Sequence, residues 1–313
     1  MLSDFLSKLI ACPVCKGELA YAEDLGCERC ARSYSLGKDG IPSLLRKELL
    51  EPMTENSDWH TVRKQGESAH FSSITQDYAA SMTVLSDDQA PYAAKVRGAT
   101  TAVLTEAASA SAILDIGGCS WSHIRSHQLT RSTVMMDISY EWLRSVRSTL
   151  QVPHAVAADC EELPFANGSF DLVLVNGVIH HVPRQRLALD EIGRVLKPGG
   201  TAIIIEPAKW SVAFVYYIMK RIVLFLTGTG GLKKYLNYHG SPYESYVAPR
   251  LIKDTFNSPN YRVEIVKSTP LRLPYLGGWG GSQAYFRMLN RVEHTWLNDA
   301  FGSYLIATIK KLR

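Results

Sequence analysis

The chain has 313 residues, 46% of them hydrophobic and 20% charged, with a formal net charge of +4. That is enough for one ordinary domain plus a small appendage, and the absence of a low-complexity tract or internal repeat excludes a repeat architecture. Residues 207–313 hold 15 Lys and Arg against 5 Asp and Glu, a basic balance that suits phosphate groups, anionic lipid headgroups or nucleic acid as partners.

The opening "MLSDFLSKLIACPVC" has an apolar stretch too short and too mixed for a signal peptide. The expected compartment is therefore the cytoplasm, where structural disulfides are rare and six cysteines read as metal ligands or buried thiols. Cys12, Cys15, Cys27 and Cys30 form two C-x-x-C pairs. Eleven residues separate the pairs, enough for a short hairpin that brings two thiolate-bearing turns together. The expected product is a closed, tetrahedral four-sulfur site of the structural zinc kind. A redox dithiol is the alternative, but it usually comes as a single C-x-x-C opening a helix in a βαβ setting.

The stretch Cys12 to Leu45, with its "CP-x-C-x-G" opening and "DGIP-x-LL" ending, resembles a small zinc-ribbon family. That family's best-known member is an activating subunit of tRNA, rRNA and protein methyltransferases. The resemblance implies a zinc-ribbon domain over 1–50, with zinc as scaffolding, and a linker and helical segment over 51–90.

From Pro91 to about Ala110 the spacing of Ala, Val and Leu suits a helix. "SAILDIGG" then reads as a buried strand running into a glycine turn, followed by strand candidates "STVMMDIS", "HAVAADC", "FDLVLVNGV" and "TAIIIEP". Between them, Ala188, Ile192, Val195 and Leu196 fall at helical spacing. Short apolar strands alternating with helices predict an α/β fold, a parallel sheet with helices on both faces. Ligands in such sheets bind outside the carboxyl ends of the strands. There stand Asp115, Gly117 and Gly118 after the first strand, Asp137 after the second, Asp159 after the third and Asn176 after the fourth. Acidic groups for ribose hydroxyls and an adenine amino group, beside glycines that admit a ligand to the backbone, describe a nucleoside site. The missing G-x-G-x-x-G argues against a dinucleotide.

Residues from about 90 to 206, above all "DCEELPFANGSFDLVLVNGVIHHV" and "EIGRVLKPGGTAIIIEP", resemble class I S-adenosylmethionine-dependent methyltransferases of the ubiquinone- and menaquinone-biosynthesis branch. This implies a Rossmann-like seven-stranded methyltransferase sheet within 91–313, with a substrate or lid insertion at about 208–250. It assigns S-adenosylmethionine to Asp115, Gly117, Gly118, Cys119, Asp137, Ile138, Asp159, Cys160 and Asn176. One departure stands out: the family's D-x-G-x-G-x-G is "DIGGCSW" here, with Cys119 and Trp121 in place of the second and third glycines. If Trp121 blocks the cofactor, the fold would be a non-catalytic scaffold.

On the substrate side, the apolar stretch 209–226 is interrupted by Lys220 and Arg221 and makes a poor bilayer span. It reads as a core or lid helix, a homodimer contact or a peripheral membrane-surface helix. Lys233, Lys234, Tyr238, His239, Tyr243 and Arg250 follow it. They suit a small molecule with an anionic head and an apolar body, such as a prenyl diphosphate, a quinone precursor or a lipid-linked sugar. Ribosomal or transfer RNA is the rival acceptor, though an acidic ribbon without basic–aromatic interleaving disfavours it. His181 or His180, after the fourth strand, is placed to take a proton from the acceptor.

Overall fold

The computed structural model describes residues 2–54, 57–73, 91–106, 110, 112–118, 120–209, 245–268, 302 and 304–313, without the side chains of 91–97, 121–123 and 268. Two sheets organise the chain. The first is a three-stranded antiparallel sheet of β1 (Ala20–Tyr21), β2 (Leu25–Cys27) and β3 (Arg32–Tyr34), preceded by the short helix α1 (Asp4–Ser7) and followed by α2 (Lys47–Leu50). Next comes the longer helix α3 (Trp59–Ser73). Asp58 starts α3 by accepting hydrogen bonds from the free amides of His60 and Thr61.

The main sheet has seven strands in the order β6-β5-β4-β7-β8-β10-β9. They are β4 (Ile113–Ile116), β5 (Thr133–Asp137), β6 (His154–Ala157), β7 (Phe170–Asn176), β8 (Leu196–Pro207), β9 (Tyr261–Ser268) and β10 (Tyr304–Lys311). The helices among them are α4 (Pro91–Glu106), α5 (Trp121–Ser126), α6 (Tyr140–Leu150), α7 (Gln185–Val195) and α8 (Pro249–Thr255). β4 to β8 pair in parallel, as expected. β10 runs antiparallel to both β8 and β9, so the sheet is mixed rather than wholly parallel. Leu196, expected on the helix before it, opens β8 instead.

Local chemistry fixes the helices that cover the sheet. In α6 the Ser139 hydroxyl accepts from the Trp142 amide, and Gln151 closes the helix in the left-handed region at φ 54°. Trp142, Leu143, Val146 and Leu150 form its buried stripe. β4 is buried at all four positions because helices cover both faces.

The first 45 residues are not a detached appendage. Leu6, Ile10, Leu25, Tyr34 and Leu44 belong to the same apolar cluster as Leu114, Val134 and Val156 on one face of the main sheet. Residues 42–44 also pair alongside β6: Leu44 N donates to Ala157 O, and Ala157 N donates to Pro42 O. The parallel bridge between Ser43 and Ala157 covers what would be the free edge of the main sheet. Lys16 with Glu191, and Arg46 with Glu162, join the same two parts by ion pairs.

Candidate active site and cysteine centre

The strand order turns around between β4 and β7, which is where a doubly wound sheet opens a crevice at its carboxyl edge. The turn after β4 carries Gly117 at φ 81° and Gly118 at φ 72°. A side chain on Gly117 would begin 2.5 Å from Val178 Cγ2, and one on Gly118 would begin 2.9 Å from Met135 Sδ. Only glycine fits this turn, and the Gly117 amide ties it to Met136 O at 2.7 Å. Cys119 lies outside the described residues. Trp121 opens helix α5, and its side chain is not described.

Two carboxyl groups flank this turn. Asp115 is fully buried in β4, and burial raises its pKa to about 8. Ser120 opposes that shift, but neither oxygen of Asp115 closes a hydrogen bond of good geometry among the described residues. Asp137 ends β5 half-buried, with Oδ1 accepting from Ser139 N at 2.7 Å. Loss of hydration raises it to about 7, against the opposing amides of Ser139 and Ile138. Ile138 and Asn176 lie half-buried at the ends of their strands.

Helix α3, within the 51–90 segment read from the sequence as a linker and helical segment outside the shared core that would help hold the substrate, roofs the carboxyl edge of the sheet. Ser72 Oγ meets Ser139 Oγ after β5. Lys64 Nζ reaches Asp159 Oδ2 at 2.5 Å and Glu161 Oε2 at 2.6 Å after β6. Arg63 reaches His180 O and Ser245 Oγ after β7. Asp159, expected at an adenine amino group, thus has its carboxylate engaged by Lys64 and by the Glu161 amide. Cys160 is buried beside it, and burial pushes its thiol well above the ordinary range. Arg63, Lys64 and Glu67 occupy one face at helical spacing. The available signal was a helix with few apolar residues and a concentrated charged face, which reads equally well as a solvated surface.

The two histidines part company. His180 Nδ1 lies 2.7 Å from Glu206 Oε2, and the same carboxylate accepts from the amides of Val178, Ile179 and His180. Glu206 therefore ties the turn after β7 to the end of β8. His181 instead turns its Nδ1 toward Glu67 Oε2, 3.2 Å away, with Phe71 edge-on to its ring at 5.3 Å.

The four cysteine sulfurs lie within 4.8 Å of one another. Cys12 to Cys30 is 3.6 Å and Cys15 to Cys27 is 3.4 Å. Four thiolates at the usual zinc–sulfur length of about 2.3 Å stand about 3.8 Å apart, so a modest adjustment fits them to the ion. Burial alone would raise Cys12, but the Tyr34 hydroxyl, nearby amides and Cys30 outweigh it and lower the thiol to about 6, while burial and the other three thiols push Cys30 up to about 12. Holding a metal would take the proton from each of the four.

Of the substrate-side residues, Lys233, Lys234, Tyr238, His239 and Tyr243 lie outside the described residues, as does nearly all of the stretch 209–226. Arg250 stands on the outer side of α8, paired with Asp254. No helix among the described residues is long and apolar enough to cross a membrane.

Residues 114–204 match the family model of the methyltransferase domain. The ubiquinone/menaquinone biosynthesis C-methyltransferase UbiE of Vibrio parahaemolyticus is 27% identical over 179 residues, 53% of this chain and 68% of that protein. The mitochondrial arginine-hydroxylase NDUFAF5 of Danio rerio is 40% identical over 94 residues, 29% of each chain. Among solved structures, a complex between the Haloferax volcanii Trm112 methyltransferase activator and the putative methyltransferase aligns with a TM-score of 0.48 and 16% identity, over 77% of this chain and 97% of that one. Residues 114–204 are a methyltransferase domain, and the chain is an S-adenosylmethionine-dependent methyltransferase built on an α/β fold.

Proposed function

We propose that the enzyme transfers the methyl group of S-adenosylmethionine to a small acceptor with an anionic head and a partly apolar body, and that Cys12, Cys15, Cys27 and Cys30 hold a structural zinc ion. A prenyl diphosphate, a quinone precursor and a lipid-linked sugar are acceptors of that kind. The observation that carries the cofactor reading is the crowded glycine turn of Gly117 and Gly118, flanked by Asp115 and Asp137 at the switch point of the sheet. When bound there, S-adenosylmethionine supplies an electrophilic methyl group on a sulfonium.

The chain's own residues divide the remaining work. The glycine turn admits the cofactor's methionine part close to the backbone, with Asn176 beside it. Asp137, whose Oδ1 accepts from Ser139, offers its carboxylate to the ribose hydroxyls. Ile138 and Cys160 supply apolar wall for the adenine. At the adenine edge, Lys64 competes for the Asp159 carboxylate. His181 is the base that takes a proton from an oxygen acceptor, or the later proton in carbon methylation. His180, tied to Glu206, holds the turn. Much of the rate comes from alignment of acceptor and methyl rather than from the base. The basic residues of 207–313, Lys233 and Lys234 among them, support an anionic head on the acceptor.

Two measurements test this. Calorimetry with S-adenosylmethionine and its demethylated product should give saturable binding, weakened by about 1–3 kcal/mol in Asp137→Ala, the scale for stranding hydrogen-bonded polar groups. A screen with methyl-labelled cofactor against prenyl diphosphates, quinone precursors, sugar nucleotides and bulk RNA should label a small molecule. Label in RNA alone overturns the acceptor class. No response to millimolar cofactor overturns the enzyme reading in favour of a scaffold. Because one relative is named for hydroxylation rather than methylation, transfer of label is the needed readout.

A further inference from the structure

We infer that Glu67 is the positioning residue for His181, and that the two form a base dyad built between helix α3 and the turn after β7. The inference rests on the reading of His181 as the base. Glu67 is 3% exposed, and its Oε2 stands 3.2 Å from His181 Nδ1. The pair stands within reach without closing a hydrogen bond of good geometry, as is common in catalytic pairs before the substrate closes the site.

The neighbours of Glu67 fix its place. One turn earlier, Lys64 is clamped between Asp159 and Glu161, and Arg63 bonds His180 O and Ser245 Oγ. One turn later, Phe71 stands edge-on to the His181 ring. His180 also lies against His181, with centroids 3.9 Å apart and the rings tilted by 42°, and is itself held by Glu206. The His181 ring is thus bounded by Phe71 and His180, with a carboxylate at Nδ1. A carboxylate there selects the tautomer with hydrogen on Nδ1 and leaves the Nε2 lone pair to receive a proton. Once that proton arrives, the same carboxylate stabilises the imidazolium. His180 is excluded from this part because its Nδ1 is used in holding the turn.

The test reads the tautomer directly, by nitrogen NMR of the whole 313-residue chain as purified, labelled in its histidine rings, with no acceptor added. Loss of signals in His181→Gln assigns the ring. The expected wild-type pattern is hydrogen on Nδ1 and a bare Nε2. Glu67→Leu should return the ring to the Nε2–H form that a free imidazole favours. A wild-type ring with hydrogen on Nε2 overturns the dyad, and this reading needs no variant of Glu67 to fold. An unchanged tautomer in a folded Glu67→Leu protein also overturns it. With an acceptor from the label screen, Glu67→Gln should lower kcat at least about tenfold while KM moves less than about twofold, since a base assists the chemical step rather than binding. An unaltered kcat overturns the proposal. The tautomer measurement is independent of any acceptor, so failure of the acceptor reading and failure of the dyad are separate results.

Discussion

Lys64 and Asp159 meet at 2.5 Å, Nζ to Oδ2, with both side chains almost withdrawn from water. Glu161 completes the triad at 2.6 Å and also accepts from Arg184. Burial alone would lower the Lys64 pKa, but Asp159 and Glu161 raise it, so the amine stays charged. Removing one partner of such a group leaves an unpaired charge in the interior, which costs about 3–5 kcal/mol. Lys64→Met should therefore lower the denaturation free energy by that order and loosen α3 from the sheet. Denaturant unfolding and hydrogen exchange of residues 59–73 would check this. Loss below about 0.5 kcal/mol, the scale of an ordinary surface change, would show that α3 is held otherwise.

The same network sets an acid limb. Burial tends to raise Glu161, but hydrogen bonds and charge from Lys64, with Arg184, outweigh it and lower its pKa below the usual value. A depressed carboxylate contributes stability that is present above its unfolded pKa and lost as pH falls through the folded one. Wild-type protein should thus weaken below about pH 4.5, and Glu161→Gln should show a shallower acid loss from a lower starting stability. Parallel acid limbs for the two proteins would remove Glu161 from the account.

Much of this site was legible in the residues, for a definite reason. Buried parallel strands are continuous apolar runs, so "SAILDIGG" and "FDLVLVNGV" mark their own carboxyl ends, and the topology then gathers Gly117, Asp137, Asp159 and Asn176 at one edge. The four cysteines likewise declare their meeting by spacing. What stayed hidden depends on long-range packing. Nothing local says that Lys64 pairs with residues 95 and 97 positions away, or that Ser43 runs beside Ala157. β9 and β10 were implied only by the resemblance to a seven-stranded sheet and were not located, because an antiparallel pair added late in the chain carries no motif. Glu206 could have been found: a carboxylate closing the apolar run "AIIIE" needs partners, and it takes three amides and His180.

The cysteine centre and the sheet edge should fail together. Freshly purified protein is expected to hold about one zinc ion per chain, lost when the four cysteines are changed to serine. Because structural zinc binding and local folding are coupled, a strong chelator should release residues 1–45 from β6 and expose Leu6, Leu25 and Leu44. Metal analysis, together with exchange protection of the Leu44 and Ala157 amides, reads both events. Retention of that protection after complete zinc removal would show that the apolar contact, the pairing of residues 42–44 with β6 and the ion pairs hold this segment in place without the metal.

Asp115 makes the last prediction, and its sign is opposite to that of Glu161. Its pKa is about 8 in the folded protein against 3.8 as the ordinary value, because burial strips the carboxylate of water and Ser120 only partly compensates. Between those values the folded state keeps a proton that the unfolded chain has lost. Stability is therefore full below the unfolded pKa and falls as pH rises toward the folded one. Asn at this position cannot ionise, so Asp115→Asn should flatten the fall. A tenfold difference in proton affinity between the folded and unfolded states is worth about 1.4 kcal/mol. The variant should gain at least that much on wild type between about pH 5 and about pH 8, whatever its stability at the lower pH. Denaturant midpoints across that range measure the gain. Curves that stay parallel would mean that Asp115 is already ionised at neutral pH, and that its two oxygens have donors in the folded protein.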